Sequence, residues 1–454
     1  MLKYRIDKDS LGSIKIPSDA YYGPFTGRAI KQYNVTGSPA HRNLIKSFVM
    51  IKRSAAVANM KTKAINRKQG TAIVKACDKI LARKYIDQFV VDMINSGAGT
   101  AFNMNSNEVI TNVALRSLGK KQGQYQFLHP NDHVNMSQST NHTYPTAMHM
   151  AILFSLKEML PAIERLIKSI NKKAKQFSKY KKVGRTHLMD ALPVTLGSEF
   201  AAYATALMNA KNEIISSQKE LEQVALGGTA VGTGANTPRG YRKAVITELS
   251  RISKLTLKPQ KDMQYSLQSK FPVANASSAL KNFAIELGKV SSDIRLMASG
   301  PIAGLSEIGI PAVHAGSSIM PGKVNPSLAE CMNMICFSVI GNDTSVSFAA
   351  QAGQFELNVM LPGMLNAVLD STDILTNFLP IFSANLIDGL TANQTKLREN
   401  IENSPVIVTL LTPKIGYLKS AELFKESLKT GKTIRELVVS KKLMTNKQGS
   451  ALMG

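Results

Sequence analysis

Five long segments with helical periodicity limit this chain to a mostly α-helical fold. In the first, which follows Pro145, apolar residues recur at intervals near 3.6 residues, while charged residues such as Lys157 and Glu164 fall on other faces. Similar patterns cover residues 197–225, 273–298, 327–350 and 365–382. Strand-like alternation is almost confined to the N-terminal region. Because these segments carry apolar residues on more than one side, we expect the helices to pack both within the chain and against partner chains.

By composition and periodic pattern, the 454 residues divide into three regions. At about 150 residues per domain, a chain of this length is expected to form two to four domains. Residues 1–140 mix extended turns with one helical pattern, residues 141–392 contain the long helices, and residues 393–454 are polar with short patterns. We therefore predict an N-terminal domain, a central helical-bundle domain and a small C-terminal domain with these bounds.

No feature of the sequence indicates secretion or membrane insertion. The N-terminus, MLKYRIDKDS, is charged from its third residue, and no run of eighteen apolar residues occurs. The three cysteines, Cys77, Cys331 and Cys336, lack metal-binding spacing, and their odd number fits reduced thiols better than disulfides. We expect a cytoplasmic protein without a membrane partner.

The formal net charge of +25 requires an explanation. Lysines are concentrated in residues 167–182, where they could contact the phosphates of nucleic acid. A solvated helix face explains the same residues, because the few aromatic side chains there form no stacking platform and no nucleic-acid motif accompanies them. We therefore expect no nucleic-acid partner and a mild electrostatic preference for small anionic substrates.

The segment GSSIMPGKVNPSLAE, residues 316–330, combines hydroxyl groups, glycines and one lysine. A Walker loop requires four residues between its glycines and a hydroxyl after its lysine, whereas here five residues separate the glycines and a valine follows Lys323. The nucleotide interpretation therefore fails. A glycine-hinged loop remains, in which Ser317, Ser318 and Lys323 can donate hydrogen bonds to a carboxylate. A plain glycine- and serine-rich connector is the alternative.

Three further breaks between the helices are unusually polar. They contain Thr100 within SGAGT, Ser139, Thr140 and Asn141 within QSTNHTYPT, and Thr186 and His187 within GRTHLMDALP. Each has a structural alternative, because Ser-Thr-Asn before a helix is a common N-cap and a lone histidine is often structural. The segment GGTAVGTG, residues 227–234, follows a helix rather than a strand, which argues against a dinucleotide site.

The histidine pattern argues against a metal site. His129 and His133 are four residues apart, but Pro130 and Asn131 interrupt any helix that would bring them onto one face. The sequence contains no HExxH motif and no cysteine cluster. We expect catalysis without a metal ion.

Together these segments resemble the aspartase/fumarase superfamily. The loop GSSIMPGKVNP looks like its signature, and further blocks look like its other motifs in the same order: GAGTAFNMNSNEV, NDHVNMSQSTN, GRTHLMDALP, GGTAVGTGANTP, SDIRLMASGP and GNDTSVSFAAQAGQFELNVM. The resemblance covers essentially the whole chain. It implies a homotetramer in which the long helices form one central bundle, with each active site assembled from three chains.

The resemblance also implies roles for single residues. Ser317 would be the catalytic base that removes a proton from the carbon next to a carboxylate of a small dicarboxylate. Six residues would hold the two carboxylates, namely Ser139, Thr140 and Ser318 on one side and Thr186, Lys323 and Asn325 on the other. Three would surround the leaving group, namely Thr100, Asn141 and His187. Glu330 would orient His187 across a subunit boundary, and no cofactor is expected.

Two activities of the superfamily stay open at this point. The motif DAYYG, the Ser-Thr-Asn run and the segment MASGPIAGLSEIGIP look like aspartate ammonia-lyase, whereas GRTH occurs in both kinds of enzyme. We expect reversible deamination of L-aspartate to fumarate and ammonia. Class II fumarate hydratase, which interconverts malate and fumarate, is the alternative. A third interpretation is a catalytically impaired homologue that acts as a binding protein for polyanions.

Three positions depart from the pattern of the superfamily. His142 stands where an aspartate usually follows Ser-Thr-Asn, Ile302 replaces the usual arginine after SGP, and Met189 replaces the usual glutamine after GRTHL. His142 is next in sequence to the expected substrate wall. Exchange of an anion for a titratable ring could therefore alter the pH dependence or the substrate preference.

Overall fold

The computed structural model describes residues 3–314, 319–445, 447 and 448. Its α-helices are α1 Pro24–Gln32, α2 Arg42–Lys61, α3 Arg67–Leu81, α4 Thr100–Ser117, α5 Thr140–Gln176, α6 Leu196–Leu221, α7 Tyr241–Ser253, α8 Met263–Gln268, α9 Phe271–Met297, α10 Ser327–Gln351, α11 Leu361–Asn385, α12 Gln394–Asn403, α13 Thr412–Ile415, α14 Tyr417–Thr430 and α15 Ile434–Ser440. Its strands are β1 Tyr4–Asp9, β2 Gly12–Pro17, β3 Lys181–Thr186, β4 Met189–Thr195, β5 Gln223–Val224, β6 Lys258–Pro259, β7 Ile308–Gly309 and β8 Thr391–Ala392.

The predicted mostly α-helical architecture is confirmed. The five periodic segments correspond to α5, α6, α9, α10 and α11, with most bounds within a few residues of the prediction. The start of α5 differs more, because Ser139 accepts the N–H of Asn141 on its Oγ at 3.2 Å and caps the helix before Pro145. Pro145 cannot donate to the carbonyl of Asn141, yet the helix continues through it.

The strands of the described residues form only two-stranded sheets, so no sheet builds a layer of the core. The pairs β1–β2, β3–β4 and β7–β8 are antiparallel, and β5–β6 is parallel. The core is therefore made by helices, and the hairpins serve to position loops.

The chain divides into two compact units. Unit 1 contains residues 1–160, 212–282 and 338–375, and unit 2 contains the remaining residues, 161–211, 283–337 and 376–454. Each boundary falls inside one of the five long helices. The division into three domains at residues 140 and 392 is a different partition of the chain and stays a prediction.

In unit 1, α2 packs against α3, α4 and α7. Its centre is aromatic: the rings of Phe48 and Phe102 meet edge to face at 5.0 Å between centroids, and the ring of Tyr144 lies 5.6 Å from that of Phe48. All three side chains are fully buried. This cluster joins α2, the first turn of α4 and the first turns of α5, which is where the predicted site residues of unit 1 begin.

A buried carboxylate of α4 caps α1. Glu108 accepts the N–H groups of Gly23, Phe25 and Thr26 at 2.8 to 3.1 Å and the hydroxyl of Thr26 at 2.6 Å. Burial raises the pKa of Glu108, and these hydrogen bonds oppose the rise. Because α1 has no capping side chain of its own, Glu108 satisfies its free N–H groups and ties the two helices together.

In unit 2, the hairpin β3–β4 packs on a small apolar core from the C-terminal helices. This core consists of Val183, Ile401, Ile407, Val408, Leu411, Leu423, Ile434, Leu437 and Val438. Strand β3 of the hairpin also meets a buried ionic group. Glu307 is fully buried and pairs with Lys182 at 2.7 Å and with Arg185 at 2.8 Å, while Lys182 also lies 2.9 Å from Glu199.

The lysines near the end of α5 are mostly a solvated face, as the sequence suggested. Lys168, Lys172 and Lys175 are exposed. Lys173 differs, because it is buried and its Nζ donates to the carbonyl of Leu390 at 2.8 Å.

Two further observations concern the whole of the described chain. No helix there combines the length and apolar character that a membrane span requires. The three cysteines are free thiols, with Cys77 and Cys336 buried and Cys331 partly buried.

The buried ionic group generates a prediction about pH. Burial acts to raise the pKa of Glu307, but hydrogen bonds and charge from Arg185 and Lys182 lower it below the usual 4.5. A lowered pKa in the folded state contributes stability that is present above pH 4.5 and is lost as pH falls through the folded value. Glu307→Gln should lower the free energy of unfolding at pH 7 by about 3 kcal/mol and should weaken the loss of melting temperature below pH 4.5.

Thermal unfolding followed by circular dichroism at several pH values measures both effects. The matched control is Glu402→Gln, because Glu402 pairs with Arg398 on the exposed surface at 2.9 Å and such pairs contribute about 1 kcal/mol or less. Equal melting temperatures for the two variants at pH 7 would contradict the prediction.

Candidate active site

The first polar segment forms the entry to α4. Ala98 and Gly99 both adopt left-handed backbone conformations, and the N–H of Ala98 donates to the carbonyl of Val359 at 2.8 Å. The Oγ of Ser96 accepts the N–H of Ala101 at 2.9 Å and caps the helix. Thr100 follows directly as the first residue of α4 and is half-buried.

Gly99 also brings this segment against α5. Its φ is +78°, and a Cβ added there would overlap the ring of Tyr144, which is fully buried. Only glycine fits both the backbone conformation and the close approach. The start of α4, with Thr100, is therefore packed against the first turns of α5.

The second polar segment forms the start of α5. Ser139 is its N-cap, so the structural interpretation of this serine is confirmed. Thr140 accepts a hydrogen bond on its Oγ1 from Nδ2 of the buried Asn103 at 2.8 Å. Asn141 donates from its Nδ2 to the carbonyl of Ala230 at 2.9 Å. Each of the three side chains thus has a defined structural contact, and Thr140 and Asn141 keep further hydrogen-bonding groups available.

The segment GGTAVGTG, residues 227–234, is held against the start of α5 by hydrogen bonds. The N–H of Thr229 donates to Nδ1 of His142 at 2.6 Å, next to the bond between Asn141 and Ala230. Thr229 has a φ of +58°, which shows that the segment turns sharply at this contact. The glycine-rich segment is therefore fastened to the first turn of α5.

His142 is buried and neutral, so it does not act as a titratable group near neutral pH. Burial lowers its pKa to about 3, and the cations Lys52 and Arg242 act in the same direction. Because Nδ1 accepts from Thr229, the hydrogen lies on Nε2, which has no hydrogen-bond partner among the described residues. Relative to the usual aspartate, the exchange replaces an anion by a neutral ring that fastens a loop.

A cavity of about 740 Å³ lies beside these segments in unit 1. Thr100 is the one predicted site residue among the residues described as lining it, together with Ser96, Glu108, Arg28 and His129. The side chains of Ser139, Thr140 and Asn141 are not part of this lining. The cavity therefore adjoins the α4 side of the candidate site and does not contain the whole site.

In unit 2, Thr186 and His187 lie at the tip of the hairpin β3–β4. Thr186 pairs with Met189, and the two residues between them, His187 and Leu188, have φ of +56° and +61°. A two-residue turn with positive φ at both positions normally carries Asn-Gly, so a histidine and a leucine here are strained. Both predicted site residues are exposed, and the hairpin is anchored where Ser404 donates to the carboxylate of Asp190 at 2.7 Å.

The other predicted residues of unit 2 precede or begin α10. Lys323 is exposed and Asn325 is half-buried, and Gly322 has a φ of +79° with open space around it. Glu330 lies in the first turn of α10, and its carboxylate is 3.9 Å from Arg295. Ser317 and Ser318 lie outside the described residues.

The structure thus gathers part of the predicted site. Within unit 1, Thr100 begins α4, and Ser139, Thr140 and Asn141 lie at the start of α5. The two helix starts pack together through Gly99 against Tyr144 and through the bond from Asn103 to Thr140. Within unit 2, the hairpin tip and the start of α10 are separate groups, and no hydrogen bond or ion pair of the described residues joins them. The orientation of His187 by Glu330 across a subunit boundary stays a prediction.

Sequence reasoning missed two residues that support Thr140. Asn103 and Lys52 are fully buried, and Nζ of Lys52 donates to Oδ1 of Asn103 at 2.7 Å. One signal was available: α4 is almost entirely buried although many of its residues are polar, namely Asn103, Asn105, Ser106, Asn107, Glu108, Thr111 and Asn112. A buried polar helix indicates a hydrogen-bond network. Lys52 gave no such signal, because a lysine in an amphipathic helix is normally exposed.

The two other departures from the superfamily are exposed. Met189 begins β4, and Ile302 is 93% exposed. Nothing in the described residues explains either replacement.

The two histidines of the segment HPNDHVN, residues 129–135, accept hydrogen bonds from backbone N–H groups. His129 accepts the N–H groups of Asn131 and Asp132 on Nδ1, at 3.2 and 3.3 Å, and His133 accepts the N–H of His129 at 2.9 Å. Within the described ranges, no three His, Cys, Asp or Glu side chains are grouped as a metal site requires.

The contact between Gly99 and Tyr144 generates a prediction. Gly99→Ala should lower the free energy of unfolding by about 3 kcal/mol or more, because alanine is strained at positive φ and its methyl group would overlap the ring. The matched control is Gly119→Ala just beyond the other end of α4, where φ is +74° and no atom lies within 4 Å of the added Cβ. It should cost only about 1 to 2 kcal/mol. Thermal unfolding of the two variants measures the difference, and equal losses would refute the packing role of Gly99.

Comparisons with known proteins cover nearly the whole chain. A family model described as lyase matches residues 12–341, and one described as fumarase C C-terminus matches residues 407–453. The chain is 44% identical over 444 residues to an aspartate ammonia-lyase of a Bacillus species, with 98% of this chain and 95% of the relative covered. It is 41% identical over 444 residues to the aspartate ammonia-lyase of Escherichia coli K12, with 97% and 93% covered.

Solved structures agree with the family models. A crystal structure described as fumarate lyase:delta crystallin from Brucella melitensis matches with a TM-score of 0.96 and 40% identity, covering 99% of this chain and 98% of the other. A class II fumarase from Schistosoma mansoni matches with a TM-score of 0.95 and 34% identity, covering 100% and 98%. The motifs, the fold and these relatives lead to the same assignment, and the chain belongs to the aspartase/fumarase superfamily of lyases.

Proposed function

We propose that this chain is an aspartate ammonia-lyase, which converts L-aspartate reversibly to fumarate and ammonia. The observation that carries the proposal is the full-length identity of 41 to 44% to several proteins named aspartate ammonia-lyase. The motif DAYYG and the Ser-Thr-Asn run support the same choice over fumarate hydratase. The substrate would be a small dicarboxylate, which the positive net charge of the chain favours electrostatically.

The difficult step of this reaction is removal of a proton from C3 of L-aspartate. The resulting carbanion is stable only as an enediolate, with its charge spread over the oxygens of the neighbouring carboxylate. Catalysis therefore requires hydrogen-bond donors placed where that charge develops. We assign the role of base to Ser317, which needs a desolvated pocket and nearby N–H groups to stabilise its alkoxide.

The described residues supply groups suited to the other roles. Thr140 accepts from Asn103, so its own hydrogen is free to be donated to a carboxylate. Asn141 uses Nδ2 for Ala230, so its Oδ1 is free to accept from the leaving ammonium group. Ser139 and Ser318 would complete the first carboxylate site, and Thr186, Lys323 and Asn325 would form the second. Thr100 and His187 would complete the leaving-group site.

We further propose a homotetramer with composite active sites. The support is the exposure of large apolar side chains on the long helices, namely Met208 and Ile215 of α6, Ile285 and Leu296 of α9, and Met334, Phe337 and Phe348 of α10. Partner helices would cover such residues. The strained, exposed hairpin tip with His187 supports the same idea, since strain of this kind occurs at functional sites. We also propose a cytoplasmic location, which suits the free thiols.

The proposed reaction can be tested directly. Purified protein should form fumarate from L-aspartate, seen by its ultraviolet absorbance, with release of ammonia and with a much higher kcat/KM than from L-malate. Faster reaction with L-malate would instead identify a hydratase. No reaction with either compound would favour the binding-protein interpretation, which salt-sensitive retention of nucleic acid would then support.

The role of Ser317 generates a separate prediction. Ser317→Ala should lower kcat by about 10² to 10³ or more, because it removes the base while the substrate-binding groups remain. Size-exclusion chromatography with light scattering should show an unchanged oligomer, expected at four times the 49.3 kDa chain. The control is Ser13→Ala on β2, an exposed serine that should be replaced without loss. Retention of more than about a tenth of wild-type activity by Ser317→Ala would refute the assignment.

A further inference from the structure

We propose that Lys52 is a positioning residue that, acting through Asn103, turns the hydroxyl hydrogen of Thr140 toward a carboxylate of the substrate. The inference deepens the proposed function and rests on its placement of Thr140 at a carboxylate. Lys52 itself lies behind the wall of the site and would not touch the substrate.

Hydrogen bonds join Lys52, Asn103, Asn135 and Thr140 in one network. Lys52 lies on α2 and is fully buried, and its Nζ donates to Oδ1 of Asn103 at 2.7 Å and to Oδ1 of Asn135 at 2.8 Å. Asn103 then donates from Nδ2 to Oγ1 of Thr140 at 2.8 Å. Among the described residues, no carboxylate lies within ion-pair distance of Lys52.

The polarity of these bonds follows from the chemistry of lysine. Lysine offers hydrogens to both asparagines, so Asn103 must turn its oxygen toward Lys52 and its NH₂ group toward Thr140. The oxygen of Thr140 is thereby an acceptor, and its one hydrogen must point elsewhere. Burial lowers the pKa of Lys52, but a neutral amine still has the two hydrogens that the network uses. The direction of the Thr140 hydroxyl is therefore the same in either protonation state.

A second arm of the network holds the segment before α5. Asn135 accepts from Lys52 on its oxygen and donates from Nδ2 to the carbonyl of Gln138 at 3.2 Å. Gln138 directly precedes the N-cap Ser139. Lys52 thus supports both the side chain of Thr140 and the backbone that leads into it.

A structural role alone explains Lys52 poorly. A buried amine without a carboxylate partner is costly, because no opposite charge offsets the desolvation of its charged form. The neighbouring His142 is neutral and provides no compensating anion. Retention of a lysine here is understandable if its hydrogen-bond polarity is needed at Thr140.

The first test is Lys52→Met, which keeps the side-chain length and removes the donors. We expect the melting temperature to fall, because the buried oxygens of Asn103 and Asn135 lose their donor. The KM for L-aspartate and the dissociation constant of succinate, a dicarboxylate without a leaving group, should each rise by about 10- to 100-fold, because a hydrogen bond to a charged group is weakened. The effect on kcat should be smaller, since the carboxylate is held in both the ground state and the transition state.

A double-mutant cycle separates orientation from general disturbance of the fold. Thr140→Val should weaken succinate binding at least as much as Lys52→Met. In the Thr140→Val background, Lys52→Met should have little further effect, because the hydroxyl that it orients is gone. Effects that multiply in the double variant would overturn the proposal, and so would wild-type KM and succinate affinity in Lys52→Met.

Asn103→Asp provides a second variant that does not depend on the folding of Lys52→Met. It gives Lys52 a carboxylate partner, so the fold should be at least as stable. The new side chain offers only acceptors, so the Thr140 hydroxyl would donate to it instead of to the substrate. We expect unchanged or higher melting temperature together with weakened succinate binding. Wild-type affinity in this variant would refute the relay, by which we mean the orientation of the Thr140 hydroxyl by Lys52 through Asn103.

The matched control is Lys270→Met. Lys270 is also buried, but its Nζ donates to backbone carbonyls, those of Ser266 and Leu267 at 2.6 and 2.9 Å. Its replacement should lower the melting temperature and leave succinate binding unchanged. A similar loss of succinate affinity in this variant would show that any buried cation has the effect, and the proposal would fail.

The wild-type measurements separate this inference from the proposed function. If the wild-type protein acts on L-malate but not on L-aspartate, the proposed ammonia-lyase activity fails, and the relay is tested with L-malate and succinate. If wild type turns over L-aspartate but the variants bind succinate normally, only the relay fails. If wild type neither reacts with nor binds any of these dicarboxylates, both proposals fall.

Discussion

Polar side chains buried at the starts of α4 and α5 need hydrogen-bond partners, and this need determines how unit 1 is arranged. A buried polar group without a partner is costly in a low-dielectric interior. Asn103 therefore lies between Lys52 and Thr140, and the first turn of α5 binds the glycine-rich segment through Asn141 and His142. The contacts that stabilise the unit are the same contacts that orient the side chains proposed to hold the substrate.

In unit 2, buried charges position the hairpin β3–β4. Glu307 pairs with Lys182 and Arg185 of β3 in a buried ionic group, and this holds the strand that leads to His187 at the hairpin tip. The tip itself is strained and exposed. In the homotetramer that we propose, partner chains would cover the exposed apolar residues of the long helices and complete the active sites.

Helices and motifs were predictable because their signals are local in sequence. The periodic segments anticipated α5, α6, α9, α10 and α11, and the motif blocks indicated the superfamily. The start of α5 was placed too late because the apolar pattern begins after Pro145, whereas the cap at Ser139 depends on a backbone bond. The exchange at His142 suggested an altered pH dependence or substrate preference, but burial lowers the pKa of His142 to about 3, and burial is a property of the packed structure. The third residue of the relay, Lys52, carried no local signal at all.

The sequence by itself determined the helical architecture, the superfamily and the identity of the candidate residues, since all of these depend on residue spacing and on short motifs. Only the tertiary structure decided that Asn103 donates to Thr140, that His142 fastens the segment containing Thr229, and that Lys52 lies buried behind them. The physical reason is distance along the chain: hydrogen-bond partners from α2, α4, α5 and the glycine-rich segment become neighbours only when the helices pack, and packing sets which atoms donate and which accept.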